Sequence, residues 1–355
     1  MTALSAAIES INQSASEQNE KQLLIAAKCR ALMVGYDARW RDAEWETLST
    51  EHQFQLPIVN TDTGATSRTW THAGKKDGIV RYIPSQRKYL LEHKTTSDDI
   101  ADPGGSYWRR LTIDSQVSGY MLAEWQDGNK LDGTLYDVLK KPATRPKQIT
   151  KALQKVMKQQ GTYLGENVPT GFLRLENENI ELYEIRLTQE ILLNPEKHYQ
   201  RRTIPRLDDE VLEYAGELWH IGKDILSARN NNHHYRNSDA CMTWNSPCEY
   251  ISICSGHDSP ESDNWKSRES IHSELEDLDD PQSVLTNSRI KCFQTCRRKH
   301  FLKYELGIEK QREEEREALY MGSQIHEALR AWWDCYRKDN SNDNSSKLTA
   351  SEVAS

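Results

Sequence analysis

Two periods of hydrophobicity run through the chain. Residues 21–43 repeat apolar side chains at helical spacing (Leu23, Leu24, Ala27, Leu32, Met33). Residues 113–125 do the same, as do 208–229 through Val211, Leu212, Leu218, Trp219, Ile225 and Leu226. Residues 51–59, 69–71, 78–83 and 133–139 have the strand pattern instead, and 288–304 and 313–336 predict two more helices. Pro84-Ser85-Gln86 turns 78–83 into 89–96, so 78–96 reads as a hairpin. Residues 150–166 look polar and weakly helical, 182–193 mixed, and 230–258 irregular and rich in Asn, His and Cys. The polar ends, 1–20 and 339–355, are expected to be disordered, and the acidic stretch 259–284 to be a linker.

Composition narrows this picture. With 355 residues, 36% hydrophobic and 28% charged, the chain can bury a real core as one large or two ordinary domains. No apolar run approaches the roughly 18 residues of a membrane span. The N-terminal stretch lacks the charged and apolar regions of a secretory signal, so a cytoplasmic protein is expected. The net charge of −8 argues against a generally basic nucleic-acid coat but leaves room for a local basic groove. Seven cysteines in a reducing compartment point to metal ligands or core residues rather than disulfides.

The candidate chemistry centres on Glu92-His93-Lys94. Side chains alternate along a strand, so Glu92 and Lys94 share a face and His93 points away. The carboxylate suits a hard divalent cation, and the ammonium suits a water or a developing negative charge. A bare pair of this kind is also common as a surface ion pair. Asp77 precedes the partner strand, so the hairpin can bring it near Glu92 and Lys94. Two acidic side chains plus the backbone carbonyl of His93 would supply half of an octahedral Mg²⁺ or Mn²⁺ shell. Gln116 and Tyr120, four residues apart, lie on one helix face. Tyr107, Trp108, Arg109 and Arg110 combine rings with guanidinium groups, which suits stacking and phosphate contact with a nucleic-acid strand.

The ordered set Asp77, Glu92-x-Lys94, Gln116-x3-Tyr120 resembles the PD-(D/E)XK nuclease superfamily, in particular its RecB-like and AddB-like branch. The resemblance covers about 50–145. It implies an α/β restriction-endonuclease-like core, a central mixed sheet flanked by helices, with a Cys-rich region. It also implies that Asp77 and Glu92 bind metal, that Lys94 is catalytic, and that Gln116 and Tyr120 position DNA or the site. Two family motifs expected before the hairpin occur near the C-terminus instead. Ser288-Arg289-Ile290 through Cys296-Arg297-Arg298 resembles the family's C-x-R helix, and Gly322-x3-His326 its metal-binding GxxxH helix. Either the motifs are circularly permuted, with 285–338 folding back to complete the site, or 285–355 begins a second, tandem nuclease domain. Two helices alone cannot bury their apolar faces, which favours the first.

Cys241, Cys248 and Cys254 fall in one loop-rich stretch and want a fourth ligand. The resemblance implies a [4Fe–4S] cluster completed by Cys296, with Cys292 and Cys29 in reserve. Zn²⁺ with His257 or His234, and plain unliganded thiols, are the alternatives. The expected organisation is a disordered 1–20, a nuclease core 21–258 with its Cys-rich segment 230–258, a linker 259–284, a completing helical segment 285–338, and a disordered 339–355. The expected function is a metal-dependent DNA exonuclease of recombination, repair or phage DNA processing, acting on linear or single-stranded ends with a helicase or recombination partner. The alternative is an inactive DNA-binding or recombination-accessory protein with a structural metal site.

Overall fold

A computed structural model describes residues 2–14, 19–243, 246–273, 275–311 and 317–352, with side chains as far as Tyr336 in the last span. Its centre is a six-stranded mixed sheet. Strands β1 (Trp45–Val59), β2 (Thr66–Tyr82), β3 (Arg87–Thr96), β4 (Thr134–Lys140) and β5 (Tyr199–Ile204) lie side by side in that order, and β6 (Val284–Leu285) runs parallel to β2 at Thr71 and His72. Only β3–β4 and β6–β2 are parallel. The β3–β4 crossover is made by α3 (Ser106–Leu111) and α4 (Ser115–Gln126), as a parallel pair requires. Leu90 and Leu91 are both fully buried, because helices cover both faces of β3.

One face packs on α1 (Ala3–Ser14), α2 (Glu20–Trp40), α6 (Ile180–Leu193) and α9 (Glu317–Glu352); α5 (Lys151–Gln160) belongs to a small satellite cluster. The other face packs on α3, α4 and α7 (Asp208–Asn230), with α8 (Asn287–Thr295) beyond. A side chain at Gly119 would strike Nε2 of His72 at 2.6 Å, so glycine is what lets α4 sit this close to β2. A buried Lys76–Glu124 pair joins the same two elements, with the Lys76 ammonium over Phe54. No helix among the described residues is long and apolar enough to cross a membrane.

Several expectations are corrected. Residues 3–14, expected to be disordered, form α1, which buries Ala3, Ala7 and Ile11 at intervals of one helical turn. The stretch 259–284 is not a free linker: Trp265, Leu275 and Val284 are buried, and Val284–Leu285 joins the sheet. The final helix continues to Glu352, through most of the expected tail. Residues 69–71 and 78–83 are parts of one long strand, and 182–193 is plainly helical. The helix over 288–304 breaks at Cys296, whose backbone is extended at φ −163° and ψ 116°.

The C-terminal segment is structurally integral. Trp332 and Trp333 are fully buried against α2, and their indole N–H groups donate to Asp37 and Tyr36, each at 2.9 Å. Trp332→Ala is expected to cost about 3–5 kcal/mol in urea unfolding. A chain ending before residue 285 is expected to lack a cooperative transition altogether.

Candidate active site

The register between β2 and β3 ends at Gly78 and Leu91. Beyond that point β3 stays paired with β4, and the next partner on β2's open edge is β6, at Thr71 and His72. The fork between them opens into a cleft of about 700 Å³ lined by Asp77, Glu92, His93, Lys94, Gln116, Tyr120 and His326, among others. All of these were singled out from sequence. His93, expected to face away from Glu92, also reaches the cleft lining with its ring on the opposite side of the sheet, toward α9.

The contacts define each role. Asp77 Oδ2 accepts the backbone N–H of His93 at 2.7 Å, replacing the ladder bond that the fork removes. Its Oδ1 lies 4.0 Å from Nδ1 of His326, which α9 delivers from the far end of the chain. Lys94 Nζ donates to Glu92 at 2.6 Å and to Oε1 of Gln116 at 2.8 Å, and lies 3.5 Å from Asp114. The Gln116 amide then donates to the Tyr120 hydroxyl at 2.8 Å. The Gln-x3-Tyr spacing thus makes Gln116 a bridge that fixes the lysine head on one side and the phenol on the other.

Burial raises the Glu92 carboxyl to about 7, although the Lys94 ammonium pulls it down. Burial opposes the Lys94 charge, but Glu92 and Asp114 outweigh it and raise the lysine above its usual range. Lys94 thus keeps its charge in this arrangement, beside the carboxylates of Glu92 and Asp114. The enclosing walls lower His326, partly offset by Asp77. Hard carboxylate oxygens beside an imidazole that prefers to be neutral suit Mg²⁺ or Mn²⁺ in the cleft. Among the described residues, no three His, Cys, Asp or Glu side chains are already set around a single metal-ion position.

Two predicted contacts are overturned. Tyr107 and Trp108 are buried in the core, and the Trp108 indole donates to the carbonyl of Ile100 at 2.9 Å. Neither ring is open to stack on a base. Arg109 and Arg110 are exposed, with Arg110 paired to Asp98 and lying over Tyr107. Residues missed from sequence include Asp114, which caps α4 and faces Lys94, and His72, whose Nδ1 pairs with the Leu285 carbonyl at 2.8 Å. Asp114 had a signal, an acid just before a helix; His72 had none.

Cys241, Cys248, Cys254 and Cys296 all line one small void of about 20 Å³. All seven cysteines are free. Burial raises the thiols of Cys248 and Cys254, and that of Cys292 to about 11. Of the reserves, Cys29 is a core residue of α2. The imidazoles that zinc would recruit are engaged elsewhere: His234 stacks on Phe301, and His257 pairs with the Ser255 hydroxyl at 2.7 Å.

Residues 284–354 match the family model of the PD-(D/E)XK nuclease superfamily. The matched span holds the Cys296 and His326 helices, while Asp77, Glu92 and Lys94 lie outside it. The mixed sheet flanked by helices is consistent with that superfamily's fold. No curated protein and no solved structure matches the chain.

The raised Glu92 carboxyl has a signed consequence. A carboxyl that titrates higher in the folded than in the unfolded chain contributes stability that is complete below the unfolded value of about 4.3 and lost as the pH rises through about 7. In EDTA, urea unfolding between about pH 5 and pH 8 is expected to show the wild type losing on the order of 1–3 kcal/mol more than Glu92→Gln. Equal slopes would remove Glu92 as the buried carboxyl responsible.

Proposed function

We propose that the protein is a metal-dependent DNA nuclease of the RecB-like type, an exonuclease or end-processing enzyme, with its motifs in permuted order. The observation that carries this is the approach of His326 to Asp77, 4.0 Å, in the same cleft as Glu92, Lys94, Gln116 and Tyr120. A tandem second domain gives no reason for 285–336 to pack into the first one's site.

In this reading Asp77, Glu92 and His326, with the carbonyl of His93, hold Mg²⁺ or Mn²⁺. When bound, the cation acts as a Lewis acid toward the scissile phosphate and lowers the pKa of a water. The chain's own residues do the rest. Lys94, held by Gln116 and beside Asp114, would donate to the attacking water and to a non-bridging phosphate oxygen. Its fixed positive charge stabilises the charge that develops as the water oxygen bonds to phosphorus and the ester oxygen departs. The water's proton passes to solvent, and solvent returns one to the leaving oxygen. Gln116 keeps the ammonium aimed, and Tyr120 anchors Gln116. The exposed Arg109 and Arg110 remain candidates for phosphate contacts outside the cleft lining.

The four thiols that line one void are the observation behind a second, structural metal site. Its ligands would draw together on binding, since among the described residues no three of them are set around one metal position. Thiolates without an imidazole suit a [4Fe–4S] cluster better than they suit the zinc set with His234 or His257. It would tie the loop 241–254 to the Cys296 bend and so hold the rotated segment in place.

Linear DNA with Mn²⁺ is expected to be degraded by the wild type, with Glu92→Ala and Lys94→Ala slower by at least about 10²–10³-fold. No degradation by the folded wild type would favour the accessory DNA-binding reading. Protein purified without oxygen is expected to absorb broadly near 400 nm, and to lose the band in Cys254→Ala and Cys296→Ala. A colourless protein holding zinc, or no metal, would sink the cluster.

A further inference from the structure

Behind the cleft lies a buried polar group that the nuclease reading does not use. Asp137 is fully buried on β4, directly across the ladder from His93. Its Oδ2 lies 3.2 Å from Nδ1 of His93, an ion-pair contact whose geometry falls short of a hydrogen bond, and its Oδ1 accepts Nε–H of Arg201 at 3.0 Å. Tyr36 donates its hydroxyl to the same carboxylate. The Tyr36 oxygen in turn accepts from Arg201 at 2.7 Å and from the Trp333 indole at 2.9 Å. The His93 ring meets His326 edge-on with centroids 6.2 Å apart, and Trp333 at 6.2 Å. One buried charge therefore connects β3, β4, β5, α2 and α9.

Ion pairs this deep return little stability compared with apolar packing of the same volume. What they return is orientation. A carboxylate behind an imidazole fixes the ring, and partners behind metal sites tune affinity in this way. Helix α9 most needs such fixing. Its buried face is mostly apolar, which sets the coarse rotation of the helix but resists small turns less. A small turn about the helix axis keeps that apolar stripe buried yet swings His326 away from Asp77. The bond from Trp333 to Tyr36 and the His93 ring against His326 both oppose that rotation, and both are anchored on Asp137.

The geometry points to Asp137 as a positioning residue: with Tyr36 and Arg201 it locks His93 and α9 so that His326 faces Asp77 and Glu92. This rests on reading those three residues as the divalent-cation site.

The test is calorimetric titration of Mn²⁺ into the full-length protein, with thermal unfolding followed in the same samples. Asp137→Asn and Tyr36→Phe are each expected to weaken Mn²⁺ binding by about 10–100-fold. A network that merely stabilised the fold would lower the melting temperature and leave the Mn²⁺ affinity of the folded protein unchanged, which overturns the proposal. His326→Ala and Glu92→Ala separate the two levels. If they weaken Mn²⁺ binding and the network variants do not, only the positioning role falls. If they too leave it untouched, the site reading fails and the positioning role goes with it. Should Asp137→Asn not fold, Tyr36→Phe decides, because it keeps the carboxylate and its pair with Arg201.

Discussion

The parting of β2 and β3 beyond Gly78 and Leu91 is the constraint on which the rest depends. A fork inside a sheet leaves backbone N–H groups without their ladder partners, and a buried N–H must find another acceptor. Here Asp77 supplies it, at 2.7 Å from the His93 nitrogen. The repair leaves the second oxygen of the same carboxylate facing His326. The fork also lets side chains from both faces of the sheet meet in one space, which a continuous ladder forbids. Glu92 and Lys94 reach it with Gln116 and Tyr120 from the α4 side, and His326 enters from the α9 side.

The two faces are held by different physics. On the α4 side an apolar cluster around Phe54, Leu90, Val117 and Met121 is crossed by short polar contacts: Lys76 with Glu124, Lys94 with Gln116, Gln116 with Tyr120. On the α9 side apolar bulk dominates, and Trp332 and Trp333 bury whole indoles while spending their N–H groups on α2. The protein therefore attaches a distant segment mainly by burial and aims it by a few hydrogen bonds.

What was legible in the sequence follows the range of the forces involved. The hairpin, Glu92 and Lys94, and the Gln116–Tyr120 spacing rest on periods of two and four residues, and the structure keeps them together. The helices bearing Cys296 and His326 were marked by residue pattern, but only the folded chain shows His326 beside Asp77. Tyr107 and Trp108 misled because an aromatic–basic run reads alike whether its rings face water or core, and the deciding partner is the Ile100 carbonyl. β5 was illegible. Its strand carries two arginines, and one of them is buried only because Asp137 waits on β4. In α1 the spacing of Ala3, Ala7 and Ile11 was present but lost among polar neighbours. Leu275 and Val284, apolar residues in an acidic stretch, show no period because they meet Ala73 in a small cluster, Leu275 from irregular backbone and Val284 from the short β6, and not from one helix or strand face.

The order of the motifs along the chain also bears on how the molecule is made. The acids and the lysine lie early in the chain, on β2 and β3, while the strand β6 and the helix carrying His326 follow α7. Until that segment docks, the cleft lacks its α9 wall, and Trp332 and Trp333 lack their partners on α2. Assembly of the cleft thus waits on contacts between distant parts of the chain, and it tracks the folding of the whole rather than of the hairpin.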